Sequence, residues 1–437
     1  MSTTPAVSPD PYAPMRSKAY IQLLVIAALI GIPVSVVAFF FLALTGQLQT
    51  WLFTDVPAHI SSHTAATWWP LIPLTLAGLI VGLVIKYLPG KGGEMPIEGF
   101  KAGGLPIPAN LPGIAIASLA SIGLGAVVGP EGPLIAIGGG LAYWAVKQAK
   151  KDLPNQAGAM IAASGSFAAI SALLGSPLLG AFLMMEAAGL GGATMEMVLI
   201  PGLLSAGIGY LIFLGLGSLT GLGTLSLAIP NLPHIGAPTI TEFGWAIVVG
   251  LVAPLVIRAI RWLGFRVKPY ASRFGVGGAV MAGVIVALLA IGYSITTGDS
   301  STNVLYSGES SLGPLIVNAS SFPVWTLVLL IVLKGLSYGI SLSSFRGGPT
   351  FPAMFIGAAL GIAMSHLPGL SLVPAIAIGM GAMTVSMLKF PLVSILLATL
   401  LLSSDGLDVM PLVIVAVVIA YVVTIRLSPA PQPAPAA

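Results

Sequence analysis

The chain has no cysteine and very few charged residues. The missing cysteine excludes disulfides, iron–sulfur clusters and thiol chemistry. Only 7% of its 437 residues are charged, whereas soluble domains carry about 25%. His59 and His63 have i, i+4 spacing but no evident third ligand, so we predict no metal site. Because there is also no nucleophile–base pair or phosphate loop, we predict that the chain is not an enzyme and uses no cofactor.

The composition is that of a membrane protein. Hydrophobic residues make up 57% of the chain, and its mean hydropathy is +1.03. The net charge of +4 is small and scattered, which predicts no nucleic-acid partner. The first apolar run, Ala19–Leu44, is too long for a signal-peptide core and follows Arg16 and Lys18. These features predict a multi-pass protein of the cell membrane with a cytoplasmic N-terminus.

The apolar segments are uneven in length. Several contain only 10–14 residues, which is too short to span a bilayer and typical of broken, re-entrant helices. We therefore predict an all-α polytopic membrane protein. Lys334 and Lys389 are isolated in apolar sequence, and we expect them to snorkel toward the interface. We predict a cytoplasmic N-terminal tail at residues 1–18, a transmembrane domain at residues 19–427 and a disordered C-terminal tail at residues 428–437. The transmembrane domain contains two repeat halves, at about 70–217 and 243–426.

Two halves of the chain resemble each other. The pattern of Gly129–Leu141 recurs in Gly348–Leu360, 219 residues later. The pattern of Gly165–Leu183 recurs in Gly379–Leu397 with an offset of 214. Two sets of matches in the same order with nearly the same offset predict a duplicated unit. Transporters built from repeats place their substrate site where the repeats meet.

Each half contains a glycine–proline cluster that interrupts an apolar stretch. The first cluster, Gly129–Pro133, carries the carboxylate of Glu131. A charge at the bilayer centre costs about 2.5–3.5 kcal/mol, so an acid there usually has a functional role. A helix start after the cluster would surround Glu131 with free N–H groups and the positive end of the helix dipole. That environment favours either the carboxylate or a permeant anion; a helix-capping role for Glu131 is the alternative.

The second cluster, Gly347–Pro352, would add backbone donors from the other half. Thr350 and Phe351 have N–H groups that can bind an anion at a helix start. Pro349 has none. A helix start that merely packs closely is the alternative for this cluster. A third glycine turn, Gly92–Pro96, is by itself only weak evidence for a functional site, because such turns connect many helices.

Taken together, these motifs resemble those of the CLC chloride channels and proton-coupled chloride transporters. Gly129–Pro133 is similar to the G-[KR]-E-G-P motif of that family, Gly348–Pro352 to its G-x-F-x-P motif, and Gly92–Pro96 stands in the place of its G-S-G-I-P motif. Gly379–Leu392 and Ser176–Glu186 resemble two further segments. The landmarks cover roughly residues 70–425 in the order of the family.

The resemblance implies a CLC-type fold of two repeats and a homodimer with one pore per subunit. It implies that Glu131 is the gate and that Glu186 is a possible internal carboxylate. It also implies an anion site formed around Gly93, Gly129, Pro130, Gly132, Gly348, Thr350 and Phe351.

The sequence departs from the family pattern at several positions. Pro130 replaces a basic residue, Gly93 replaces the serine, and Pro349 removes an amide donor. Ala187 stands where proton-coupled members have an internal glutamate, and Tyr421 does not match the pore tyrosine. We expect the final helix that carries that tyrosine and the soluble CBS domains to be absent. These losses predict a weaker or differently selective central site.

The predicted function is channel-like passage of an anion, chloride in the first place, across the membrane, gated by Glu131. One alternative is a proton-coupled anion exchanger with a different proton path. Another is a non-conducting membrane protein that keeps the fold. The expected partners are a small inorganic anion, protons if transport is coupled, the lipid bilayer and a second copy of the chain.

Overall fold

The structure, a computed structural model, describes residues 12–60, 67–100, 104–189, 192–222, 237–402 and 406–428. Most of the predicted tails, residues 1–11 and 429–437, lie outside these ranges, as does His63. Within them the regular structure is helical apart from one isolated antiparallel bridge, which confirms the predicted all-α class.

The helices of the first half are α1 (Lys18–Thr50), α2 (Val56–Ile60), α3 (Leu71–Tyr87), α4 (Leu111–Gly123), α5 (Glu131–Ala149), α6 (Asn155–Leu174), α7 (Pro177–Ala188) and α8 (Gly192–Thr220). Those of the second half are α9 (Ile240–Thr297), α10 (Glu309–Val317), α11 (Val324–Ser344), α12 (Thr350–Met364), α13 (Leu372–Leu388), α14 (Pro391–Leu400) and α15 (Gly406–Leu427). Gly275, with φ 52° and ψ −121°, interrupts α9, which is therefore two helices joined at a kink. Short helices such as α7, α12 and α14 alternate with longer ones, as the uneven apolar segments predicted.

Six helices in the described ranges are long and apolar enough to cross a membrane: α1, α6, α8, α9, α11 and α15. Two of the shorter ones, α7 and α14, begin with proline at their first position. Proline is well suited there because its fixed φ fits the helix and its missing N–H would have no intrahelical partner.

The contacts divide the chain into two compact units. One unit comprises Met1–Phe40, Lys101–Pro108 and Leu134–Thr224. In it α6 is almost wholly buried along its second half and packs against α7 and α8.

The other unit comprises Phe41–Phe100, Ala109–Pro133 and Leu225–Ala437. In this unit α9 packs against α3, α11, α13 and α15, and α12 packs along α13. Every described side chain of α13 is buried except that of its first residue, Leu372, so α12 and α13 form the core. Both glycine–proline clusters, through Pro133, belong to this unit.

The same close helix contact occurs once in each unit. A Cβ on Gly165 of α6 would lie 2.3 Å from the carbonyl oxygen of Gly138 in α5. A Cβ on Gly379 of α13 would lie 2.2 Å from the carbonyl oxygen of Gly357 in α12. These glycines are matched positions of the two sequence patterns. Small residues allow helix backbones to approach this closely, which is how apolar helices gain packing energy in a membrane.

The Gly357–Gly379 contact gives a stability prediction. Gly379→Ala should lower the free energy of unfolding by about 1–3 kcal/mol, because the added methyl meets a backbone oxygen that cannot rotate away. Thermal unfolding in detergent measures the loss. Gly207→Ala in α8 is the matched control, since a Cβ there meets nothing within 4 Å. Equal stability of the two variants would contradict the packing role of Gly379.

Candidate functional site

The two glycine–proline clusters meet through their backbones. Gly129 and Gly348 form the antiparallel bridge. The N–H of Gly129 donates to the oxygen of Gly348 at 2.8 Å, and the N–H of Gly348 donates to the oxygen of Gly129 at 2.6 Å. The partners are the same position of the repeated pattern, so equivalent segments face each other with opposite chain directions. Each segment is the non-helical connection that leads into a helix, α5 or α12.

Glu131 lies at the first position of α5 and is fully buried. Its Oε1 accepts the backbone N–H of Thr350, the first residue of α12. The N–H of Phe351 also interacts with this carboxylate. Among the described residues, Oε2 has no hydrogen-bond partner. The carboxyl group therefore occupies the N-terminal end of α12, which is a natural anion-binding position.

Glycines form the walls of this carboxylate site. A Cβ on Gly129 would lie 2.0 Å from Oε2 of Glu131, and a Cβ on Gly348 would lie 2.1 Å from its Cδ. A Cβ on Gly132 would lie 2.9 Å from the carbonyl oxygen of Gly347. No larger side chain fits at the first two positions while Glu131 stays in place. The glycines are needed here for close approach.

The start of α12 offers further polar groups. The Oγ1 of Thr350 is buried and has no partner among the described residues. Pro349 has no N–H to give, but its carbonyl oxygen accepts the hydroxyl of Tyr338 on α11, a fully buried side chain. Pro130, which precedes Glu131, is buried. The described contacts thus place Gly129, Gly348, Thr350 and Phe351 around one carboxylate, whereas Gly132 faces the backbone of Gly347.

Gly93 does not touch this carboxylate in the described contacts. It has φ 94°, in the region where glycine is favoured, and a Cβ would lie 3.3 Å from Ile114. A serine side chain would be strained in this conformation. The loop instead contacts Arg346, the residue before the second cluster, whose Nε donates to the carbonyl oxygen of Lys91 at 3.2 Å.

Three buried or half-buried groups near the clusters escaped sequence reasoning: Tyr338, Arg346 and Glu309. Arg346 directly precedes the second cluster, so the argument used for Glu131, that a charge in apolar sequence is costly, could have identified it. Glu309 begins α10 and has one buried oxygen without a partner among the described residues. Tyr338 had no local signal, because its contact with Pro349 depends on how α11 packs.

The expectation that Lys334 snorkels was wrong. Its side chain is fully buried. Nζ donates to the carbonyl oxygens of four successive residues, Asn303–Tyr306, at 2.9–3.3 Å. It also lies 4.4 Å from the centre of the Phe355 ring. The carbonyl cage replaces the water that the ammonium would otherwise need.

The remaining candidates lie elsewhere. Glu186 is in α7, half-buried, next to Ala187. The Nδ1 of His59 lies at hydrogen-bond distance, 2.7 Å, from the carbonyl oxygen of Asp55. The described residues contain no group of three or more potential metal ligands. Tyr421 lies within α15 and is half-buried.

These features define a polytopic membrane protein in which two interrupted helices meet at a buried carboxylate. Residues 77–424 match the model of the family described as voltage gated chloride channel. The match covers well over half of the chain, and the chain therefore belongs to this family. The resemblance drawn from its motifs is confirmed.

Relatives of known sequence are similar over most of their length. The chain is 26% identical over 365 residues to "Putative ion-transport protein YfeO" of Escherichia fergusonii, with 81% of each chain covered. It is 28% identical over 356 residues to the protein of the same name from Salmonella paratyphi A, covering 79% of this chain and 81% of that one.

Solved structures share the fold. A slow cyanobacterial Cl⁻/H⁺ antiporter superposes with a TM-score of 0.76 at 19% identity, covering 93% of this chain and 95% of the other. A CLC-type fluoride/proton antiporter gives a TM-score of 0.66 at 19% identity, covering 92% and 95%. The predicted CLC-type fold is confirmed.

Proposed function

We propose that this protein carries a small inorganic anion, chloride in the first place, across the cell membrane, and that Glu131 is the gate. The observation that carries the proposal is the position of the Glu131 carboxylate. It is buried between two glycines and accepts the N–H that begins α12. A carboxylate bound where an anion would bind is a competitor for that anion.

The gating step is an exchange of negative groups. The ionised Glu131 holds the N–H of Thr350 and excludes a second anion by repulsion. Protonation removes the charge that binds Glu131 there, and the side chain leaves. The anion then accepts hydrogen bonds from the N–H and the hydroxyl of Thr350. The hydroxyl of Thr350 thereby supplies a donor of the kind that Gly93 lacks.

The residue after Glu186 is Ala187, and this alanine favours passive anion passage over proton-coupled exchange. Ala187 has no proton to transfer, so the usual internal proton acceptor is missing. Glu186 remains a candidate internal carboxylate. The solved antiporters of this fold include Cl⁻/H⁺ and F⁻/H⁺ exchangers. The transport experiment must therefore distinguish proton-coupled anion exchange from passive anion passage.

The proposed assembly is a membrane homodimer with one anion path per subunit and a cytoplasmic N-terminus. Arg16 precedes the first long apolar helix and Lys18 begins it, and both basic residues support this orientation. We also propose that residues 70–217 and 243–426 are two repeats. The twice-occurring glycine contact and the pairing of Gly129 with Gly348 support that organisation.

Purified protein in chloride-loaded vesicles tests the function. We expect chloride efflux when a potassium ionophore balances the charge, without stoichiometric proton movement in a simultaneous pH recording. Efflux coupled to protons would overturn the passive mechanism and establish exchange. No efflux of chloride, other halides or nitrate would overturn transport and favour a non-conducting protein. Protein-free vesicles give the background leak.

A further inference from the structure

Arg346 is a buried cation beside the candidate gate. It directly precedes Gly347, and its side chain is 3% exposed. Its backbone N–H donates to the Oγ of Ser121 on α4 at 3.0 Å. The residue is therefore fixed between two helices and lies four positions before Thr350, the donor to Glu131.

The side chain runs from the second cluster to the Gly92–Gly93 loop. Its Nε donates to the oxygen of Lys91 at 3.2 Å, and its Nη1 donates to the oxygen of Phe345 at 3.2 Å. A Cβ on Gly92 would lie 3.5 Å from its Cγ. The guanidinium thus lies at the loop where the related motif has a serine hydroxyl and this chain has glycine.

The positive charge of Arg346 has no carboxylate in direct contact among the described residues. A guanidinium has five N–H donors, and the described contacts use two of them on neutral carbonyl oxygens. In the part of the chain that the structure describes, no carboxylate lies within ion-pair distance of it. Glu98 acts on Arg346 from farther away and is paired with Lys268 at 2.9 Å. Buried charges are costly unless they are paired.

We propose that the counter-ion of Arg346 is the transported anion. The N–H groups that the described contacts leave unused form a second anion position beside the Gly92–Gly93 loop, in place of the missing serine hydroxyl. The ligand class is a small monovalent anion. A planar guanidinium binds planar oxyanions such as nitrate better than the compact ammonium of a lysine does. The inference rests on the proposed function, because it places this position on the same anion path.

Anion-dependent stability tests the site without transport. A ligand that binds the folded protein raises its unfolding temperature. Chloride and nitrate should each raise the unfolding temperature of the wild type relative to gluconate, and Arg346→Gln should lose most of that rise. The exposed Arg266 on α9 provides the control, and Arg266→Gln should keep the full rise. Equal rises in wild type and Arg346→Gln would overturn the proposal.

Efflux kinetics test its place on the path. Arg346→Gln should raise the chloride concentration for half-maximal efflux by about tenfold or more, the expected effect of losing charged hydrogen bonds. Arg346→Lys keeps the positive charge but loses the planar guanidinium. Efflux of chloride should therefore change less than efflux of nitrate, and the ratio of nitrate efflux to chloride efflux should fall. An unchanged ratio in Arg346→Lys would overturn the proposal even if Arg346→Gln does not fold.

The two proposals fail differently. If the wild type shows no efflux but Arg346 still governs anion-dependent stabilisation, transport is wrong and the binding site stands. If the wild type conducts and both Arg346 variants match it in half-saturation and ion preference, transport stands and the role of Arg346 is wrong.

Discussion

Replacing Glu131 with glutamine is expected to speed anion efflux at neutral pH and to remove most of its pH dependence. Glutamine is neutral, so it competes poorly with an anion for the N–H of Thr350. Wild-type efflux should rise as the pH falls, by up to about tenfold per pH unit, because it follows the protonated fraction of one carboxyl group. The variant should change by less than about twofold over the same range, since no charge at the site titrates. Vesicle efflux at stepped pH on each side measures both.

The control for this variant is another acid in the first turn of a helix. Asp408 lies in the first turn of α15 and is exposed. Asp408→Asn should therefore keep the wild-type pH profile. A glutamine variant with that same profile would show that Glu131 is not the gate and that its carboxylate only caps the helix. Folding is checked by the elution profile and the unfolding temperature of each variant.

Gly348→Ala is expected to displace the Glu131 side chain from its site. The new methyl would lie 2.1 Å from Cδ of Glu131. The backbone of Gly348 is held by two hydrogen bonds to Gly129, so the side chain must yield. Overpacking of this kind costs about 1–3 kcal/mol of the free energy of unfolding. We therefore expect a lower unfolding temperature together with efflux that no longer follows pH.

A double variant identifies the cause of that loss. In Glu131→Ala/Gly348→Ala the clashing atoms are gone, so the stability cost of Gly348→Ala should largely disappear. Gly292→Ala in α9 is the matched control, because a Cβ there meets nothing within 4 Å. Additive costs in the double variant would mean that Gly348 is needed for another reason than room for the carboxylate.

The structure also changes the expectation that the central anion site has lost hydrogen-bond donors. Compared with the related motifs, the sequence lacks a serine hydroxyl at Gly93 and an amide N–H at Pro349. The described contacts show the buried Oγ1 of Thr350 and the phenol of Tyr338 at the start of α12. Donors of the same kinds are thus present from other positions. Selectivity is therefore expected to differ from that of the related motif rather than to vanish.

Several features could be predicted from sequence because they depend on local chemistry. Composition and apolar run length predict a membrane protein, since the bilayer admits only backbones that satisfy their own hydrogen bonds. The prolines near the helix starts, such as Pro133 and Pro352, act through their own fixed φ. The cost of a lone acid in apolar sequence singled out Glu131. The positions of the repeated pattern also identified Gly129 and Gly348.

Other features could not be predicted from sequence, because they join residues that are distant in the chain. Lys334 was expected at the interface, yet it lies in a cage of four carbonyl oxygens some thirty residues away. Tyr338 meets Pro349 only because α11 packs beside α12. A single side chain carries no signal of the backbone groups that will surround it.

The amino-acid sequence by itself determined that this chain is an apolar, interrupted-helix protein with one acid at a helix start in its first half. Tertiary structure alone decided that the acid accepts a hydrogen bond from the other half, at Thr350, inside a glycine-walled site. It also decided that Arg346 remains buried without a carboxylate partner among the described residues. The reason is physical: helix starts follow from local backbone chemistry, whereas burial and charge pairing follow from packing between distant segments.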